Sequence, residues 1–167
     1  MTETAPIITF PRPDAPRLGS CGRPLDINEV RIEDGEIITC GPNVMQGYYN
    51  RPDETVQALR DGWLRTGDLG HFDTDGFLYV TGRKKDLLVL PSGKKINPQE
   101  LEDKICSSHS EVMEAGLFLQ HNSLRIILRF APEFSAARTR EELDHYARSA
   151  IIGTFNASAA PYKRLAK

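Results

Sequence analysis

Between Asp61 and Asp86 glycines recur so often that short strands and turns are favoured over helix. Gly62, Gly67, Gly70, Gly76 and Gly82 separate brief apolar runs. Trp63-Leu64 and Phe77-Leu78-Tyr79-Val80-Thr81 are strand candidates, parted by turn chemistry at Asp73-Thr74-Asp75-Gly76. The stretch therefore predicts a turn carrying the Asp68 carboxylate, a strand, and the cation Arg83 at the strand's end. An aspartate and an arginine brought together in this way can grip a nucleotide. The carboxylate accepts both hydroxyls of a ribose diol, and the guanidinium donates to ribose or phosphate oxygens. Taken alone, Asp68 equally suits a turn aspartate bonded to its own backbone, and Arg83 a solvated strand end.

The rest of the first half points the same way. Pro6, Pro11, Pro13 and Pro16 surround Ile7-Ile8-Thr9-Phe10 and favour an extended segment. Val30-Arg31-Ile32 alternates, and Asp34-Gly35 is a hairpin signal before Glu36-Ile37-Ile38-Thr39-Cys40. Gly41-Pro42 ends that strand, and a short helix follows with Pro52 near its start and Val56 and Leu59 on one face. Residues from about 18 to 82 thus predict a small, mostly β barrel or sandwich.

Beyond residue 85 the pattern changes. Leu87-Leu88-Val89-Leu90 is a buried-strand candidate, Pro91-Ser92-Gly93 a turn, and Lys94-Lys95-Ile96 the return. Asn97, Pro98 and Glu100 have the spacing of an N-cap, a first helical proline and a capping box. Leu101 and Ile105 stack at i, i+4. Strands are expected at Val112–Leu119 and Leu124–Phe130. A second capping box, Thr139 with Glu142, opens a helix with the stripe Leu143, Ala147, Ala150 and Ile151. The predicted class is α+β: a small β-barrel-like subdomain followed by a small α+β C-terminal domain.

Composition excludes little else. A formal charge of −2 gives no electrostatic case for nucleic acid or an anionic membrane. No apolar run approaches the ~20 residues that span a bilayer, and no signal peptide is evident at Met1. Cys21, Cys40 and Cys106 lack paired or metal-ligand spacing. Buried or half-buried free thiols in a reducing compartment, the cytoplasm, are expected. His71, His109, His121 and His145 are scattered without ligand spacing.

Five stretches occur in an order that resembles the adenylate-forming superfamily of acyl-CoA synthetases, luciferases and peptide-synthetase adenylation domains. They are Thr2-Glu3-Thr4; Gly19-Ser20-Cys21-Gly22-Arg23-Pro24-Leu25 with Gly35-Glu36-Ile37; Gly41-Pro42 through Arg51-Pro52; Asp61 through Asp68; and Gly82-Arg83-Lys84-Lys85-Asp86 with Ser92 through Pro98. The resemblance implies that 1–84 is the last β subdomain of a large AMP-binding domain and 85–167 its mobile C-terminal domain. It implies that Asp68 and Arg83 bind ATP or AMP, that Thr2 donates to phosphate and that Glu3 ligates Mg²⁺. It makes Lys85 the hinge and brings Gly93 close to the pantetheine arm of coenzyme A. A loosely held chain end is the competing expectation for Thr2 and Glu3, a solvated cluster for Lys84-Lys85-Asp86, and a plain turn glycine for Gly93. Lys94 and Lys95 suit either phosphate contact or solvent.

The family's glycine-rich phosphate loop and its late catalytic lysine are not among these residues. Lys163 and Lys167 belong only to the lead-in to that lysine, so no catalytic residue is assigned. The expectation is a C-terminal portion clipped at both ends and inactive alone, or a non-catalytic module complementing a separate N-terminal half. Homo-oligomers through an exposed β subdomain are expected as well. Lys84 through Pro98 resembles long-chain acyl-CoA synthetases more than peptide-synthetase domains, which implies a fatty acid substrate.

Overall fold

The computed structural model describes residues 1–14 and 16–166. The chain divides into two compact units, Met1–Lys85 and Asp86–Lys167.

The first unit is built on an antiparallel sheet. Strands β3 (Glu29–Glu33) and β4 (Glu36–Cys40) form the expected hairpin, with Asp34 and Gly35 both at positive φ in its turn. A short helix, α1 (Pro52–Ala58), leads into β5 (Leu59–Arg60). The ten-residue β6 (Trp63–Phe72) organises the sheet. It pairs with β4 along one edge, and with β5 and then β7 (Leu78–Arg83) along the other. Two short strands, β1 (Thr9–Phe10) and β2 (Arg23–Pro24), form a separate pair. Ile37, Ile38, Leu64, Phe77 and Leu78 make the core of this unit.

Three expectations need correction here. Asp68 lies inside β6 rather than in a turn, because β4 and β7 continue the ladder past Gly67. The sheet does not close into a barrel among the described residues; β3 ends one side. Val56 is exposed and Leu59 belongs to β5, so α1 has no shared apolar face.

The second unit begins with the hairpin β8 (Leu88–Val89) and β9 (Lys95–Ile96). Leu88 is only half-buried and Val89 is exposed, so the expected buried strand shrinks to two residues. Helix α2 (Pro98–Ser108) follows. Asn97 is its N-cap, but the side chain makes no capping hydrogen bond, so the first capping box does not form. The hairpin β10 (Val112–Gln120) and β11 (Ser123–Phe130) runs within a residue of the expected limits. After α3 (Pro132–Ala136), helix α4 (Arg140–Tyr146) opens with the complete Thr139–Glu142 capping box. A π-helical turn at Ala147–Ile152 passes into α5 (Gly153–Ser158) and keeps the apolar stripe on the core. Ile96, Leu101, Ile105, Val112, Leu124, Ile151 and Phe155 pack together, so α2 and the 140–158 helices share one core with β10–β11.

Gly70 is closely enclosed within the β6–β7 ladder. A Cβ there would lie 2.4 Å from the Tyr79 carbonyl oxygen and 2.8 Å from Ile37 Cδ1. Gly70→Ala should therefore destabilise the first unit by about 1–3 kcal/mol, the usual cost of overpacking. Urea unfolding followed by Trp63 fluorescence measures it, because Trp63 lies on β6 itself.

Candidate functional site

The β6–β7 register places Asp68 directly opposite Arg83, and Arg83 Nε donates to Asp68 Oδ1 at 2.8 Å. The side chains are 24 % and 51 % exposed, so both remain accessible to a ligand. Asp68 Oδ2 and the second lone pair of Oδ1 remain to accept hydroxyl protons, and the Arg83 Nη groups remain to donate. The two residues that sequence placed together are thus joined in space.

Thr66 orients the aspartate. Its hydroxyl donates to the Ile37 carbonyl at 2.7 Å and accepts from the Asp68 backbone N–H at 3.1 Å. Gly67, between them, has φ +74, a left-handed value that bends the strand out of regular geometry.

Behind this bend in β6 lies a carboxylate to which no role was given from sequence. Glu36 is 3 % exposed. Its Oε2 accepts from Lys84 Nζ at 2.7 Å and Arg65 Nη1 at 2.8 Å, and its Oε1 from the Gly67 N–H at 3.1 Å. Arg65 also bonds Glu33, which faces Glu36 across the hairpin. Burial raises the Glu36 carboxyl, but the donors from Lys84, Arg65 and Gly67 outweigh it, and the group sits below its ordinary value. Lys84, for which a solvated cluster was the competing expectation, is therefore bonded to a buried anion. A polar cavity beside the bend is lined in part by Glu36, Tyr48, Arg65, Thr66, Gly67 and Lys84.

The N-terminal candidates are better held than a loose chain end. Thr2–Thr4 forms a 3-10 turn, and Thr4 is fully buried. The Asn43 amide donates to the Thr4 and Ile7 carbonyls at 2.8 Å each, and Met45 N–H to the Glu3 carbonyl. Glu3 Oε1 accepts from the Tyr48 hydroxyl at 2.9 Å. Burial and then Glu3 raise the Tyr48 phenol, so it stays a donor. The other Glu3 oxygen remains for a hard cation, which fits Mg²⁺ held by few protein ligands and a phosphate. Thr2 is exposed beside it.

In the second unit Gly93 sits at φ +76 in the β8–β9 turn, with open space where a Cβ would be. Lys94 Nζ lies 4.2 Å from the Tyr162 ring centroid, so it has a partner other than solvent. Lys85 is exposed within the 3-10 turn Lys84–Asp86, at the end of the first unit. Lys163 bonds Glu100 at 3.2 Å, and Lys167 lies outside the described residues. Cys21, Cys40 and Cys106 are free thiols; Cys21 is exposed rather than half-buried.

Residues 85–167 match the family described as AMP-binding enzyme C-terminal domain. The chain belongs to the adenylate-forming superfamily. A 2-succinylbenzoate–CoA ligase of Geobacillus sp. (strain WCH70) is 44 % identical over 129 residues, 70 % of this chain and 26 % of the relative. A long-chain-fatty-acid–CoA ligase of Bacillus subtilis (strain 168) is 40 % identical over 133 residues, 78 % of this chain and 22 % of the relative. The structure of O-succinylbenzoate coenzyme A synthetase from Bacillus subtilis, in complex with ATP and magnesium ion, superposes with a TM-score of 0.69 at 36 % identity. That match covers 100 % of this chain and 35 % of the other. The chain thus spans about a third or less of the length of these relatives.

The low Glu36 carboxyl has a measurable consequence for stability. A carboxylate whose pKa is lower folded than unfolded contributes stability above its unfolded value, ~4.3, and loses it as pH falls through the folded one. Glu36→Gln should therefore destabilise the first unit at neutral pH by about 1–3 kcal/mol. Solvent around the half-exposed Lys84 favours the lower end of that range. The gap to the wild type should close progressively below pH ~4. Urea unfolding across that range checks both the size and the direction.

Proposed function

We propose that this chain supplies the nucleotide grip and the mobile domain of an AMP-forming acyl-CoA ligase. In that reaction a carboxylate attacks the α-phosphorus of ATP, giving acyl-adenylate and releasing pyrophosphate. The thiol of coenzyme A then attacks the acyl carbon, forms the thioester and releases AMP. The observation that carries this reading is the Asp68–Arg83 pair, held opposite one another on β6 and β7 within a superfamily chain.

Each residue has a definite task in the proposal. Asp68 accepts both ribose hydroxyls, and Arg83 donates to ribose or phosphate oxygens. Glu3 holds Mg²⁺ beside the phosphates, and Thr2 donates its hydroxyl to one of them. Mg²⁺, when bound, neutralises charge on the departing pyrophosphate. Lys85 is the hinge about which residues beyond it swing between the two half-reactions. The open turn at Gly93 lies along the pantetheine arm in the second. The acid is a fatty acid on the motif at 84–98, whereas the 44 % relative acts, by its name, on 2-succinylbenzoate. Thioester formation with each acid in turn separates the two. The free cysteines suit a reducing compartment such as the cytoplasm.

In the full-length ligase, Asp68→Ala should weaken ATP binding about tenfold or more. Two ribose hydroxyls lose an ionised acceptor, and bonds to charged groups contribute ~1.5–3 kcal/mol each. Calorimetric titration with ATP reads this directly, and an unchanged affinity would reduce Asp68 to a strand residue.

Lys85→Pro fixes φ near about −65° and should hinder the swing. Adenylation needs one arrangement and thioester formation the other. ATP–pyrophosphate exchange should therefore survive better than acyl-CoA formation in the same preparation. Equal losses would place the hinge elsewhere.

A further inference from the structure

We infer that Glu36 is the positioning residue of the Asp68–Arg83 pair and the anchor of the segment leading into Lys85. The inference rests on the reading of that pair as a nucleotide grip, and it gives Glu36 a role through the pair rather than on the nucleotide.

The bonding pattern is specific. Gly67 directly precedes Asp68, and Lys84 directly follows Arg83. One carboxylate binds both neighbours, the Gly67 N–H through Oε1 and the Lys84 ammonium through Oε2. Tying these two flanking residues to a single group fixes the separation of the residues between them, one on each strand.

The ladder alone does not supply that restraint. The β6–β7 register shifts between Leu69 and Gly70, and the β4–β6 register shifts between Glu36 and Ile38. Both irregularities lie beside Asp68, where Gly67 also departs from extended geometry. The Asp68–Arg83 bond is too exposed to hold its own geometry rigidly. Glu36, by contrast, is buried on the central strand β4, and Arg65 braces it to Glu33 on β3. The grip is thus referenced to the β3–β4 hairpin through one anion.

The same bond defines where motion can begin. The Lys84 ammonium bonds the buried carboxylate, which restrains the chain up to Lys84 and leaves Lys85 the first residue beyond that restraint. Loosening Lys84 moves the pivot towards Arg83 and couples the swing to the nucleotide site.

The test has two arms. In the 167-residue chain without nucleotide, amide hydrogen exchange is compared among wild type, E36Q, K84M and K84R. Exchange at Gly67 and at the 82–85 amides should rise at least about fivefold in E36Q. The 82–85 amides should rise in K84M and return towards wild type in K84R. K84M leaves the Glu36–Arg65 bond intact and keeps the comparison available if E36Q loses its fold. In the full-length ligase, E36Q should raise the Kd for ATP about tenfold. In the Asp68→Ala background the same substitution should change it less than about twofold, because Glu36 acts through the pair.

Unchanged exchange at Gly67 and 82–85 in both E36Q and K84M would overturn the inference. So would an E36Q effect on ATP affinity that is undiminished in the Asp68→Ala background. If the wild-type ligase binds no ATP, the nucleotide reading fails, and the exchange arm still decides whether Glu36 positions the two strands.

Discussion

The candidate site depends on β6 having partners along both edges. An exposed aspartate–arginine bond contributes only about 0–1 kcal/mol on its own and could not bring two strands together. The β6–β7 ladder does that work, and Asp68 meets Arg83 because their backbones are already in register. The ladder depends in turn on Gly70, whose missing Cβ lets the Tyr79 carbonyl and Ile37 approach. The polar contacts are therefore consequences of sheet packing. The exception is Glu36, which is buried among its donors and links the hairpin, the bend of β6 at Gly67 and Lys84. A buried anion of this kind is strongly destabilising if a partner is removed, so its donors are constrained along with it.

What sequence made legible was mostly local chemistry. Asp34-Gly35 specified its hairpin, the Thr139–Glu142 spacing its capping box, and two apolar runs the β10–β11 hairpin, because each signal acts over a few residues. The pairing of Asp68 with Arg83 was also visible, through motif resemblance. The failures were non-local. Whether the sheet closes depends on which edges pair, and no local pattern states that. Glu36 follows a turn, where a glutamate ordinarily faces solvent. Its burial comes from β6 and from Arg65, 29 residues away. Lys84 in Lys-Lys-Asp suggested solvent for the same reason, although its partner lies 48 residues earlier. The Thr2–Glu3 segment looked loose until Asn43 and Met45 were seen to hold it.

Asn97 fails for a different reason. The sequence Asn-Pro-Gln-Glu satisfies the spacing of a capping box, and the helix does start there. Proline at the first helical position removes one of the helix's unpaired N–H groups and pre-sets φ for the helix. Helix initiation at 98 therefore needs no side-chain bond from Asn97, and motif spacing alone cannot distinguish the two modes of initiation.

The division into two units bears on how a hinge could work. The buried apolar residues from Ile96 to Leu165 form one cluster inside the second unit. A body with its own core can move without exposing that core, because the contacts that stabilise it travel with it. The first unit, for its part, keeps Glu36, Arg65, Gly67 and Lys84 bonded among themselves. Neither network includes Lys85, which is exposed and stands immediately after Lys84 at the boundary between the units. Residue type does not select it; a lysine is no better suited to a change in φ and ψ than its neighbours. The proposal of Lys85 as hinge therefore rests on position, as the residue after the bonded Lys84 and the last of the first unit.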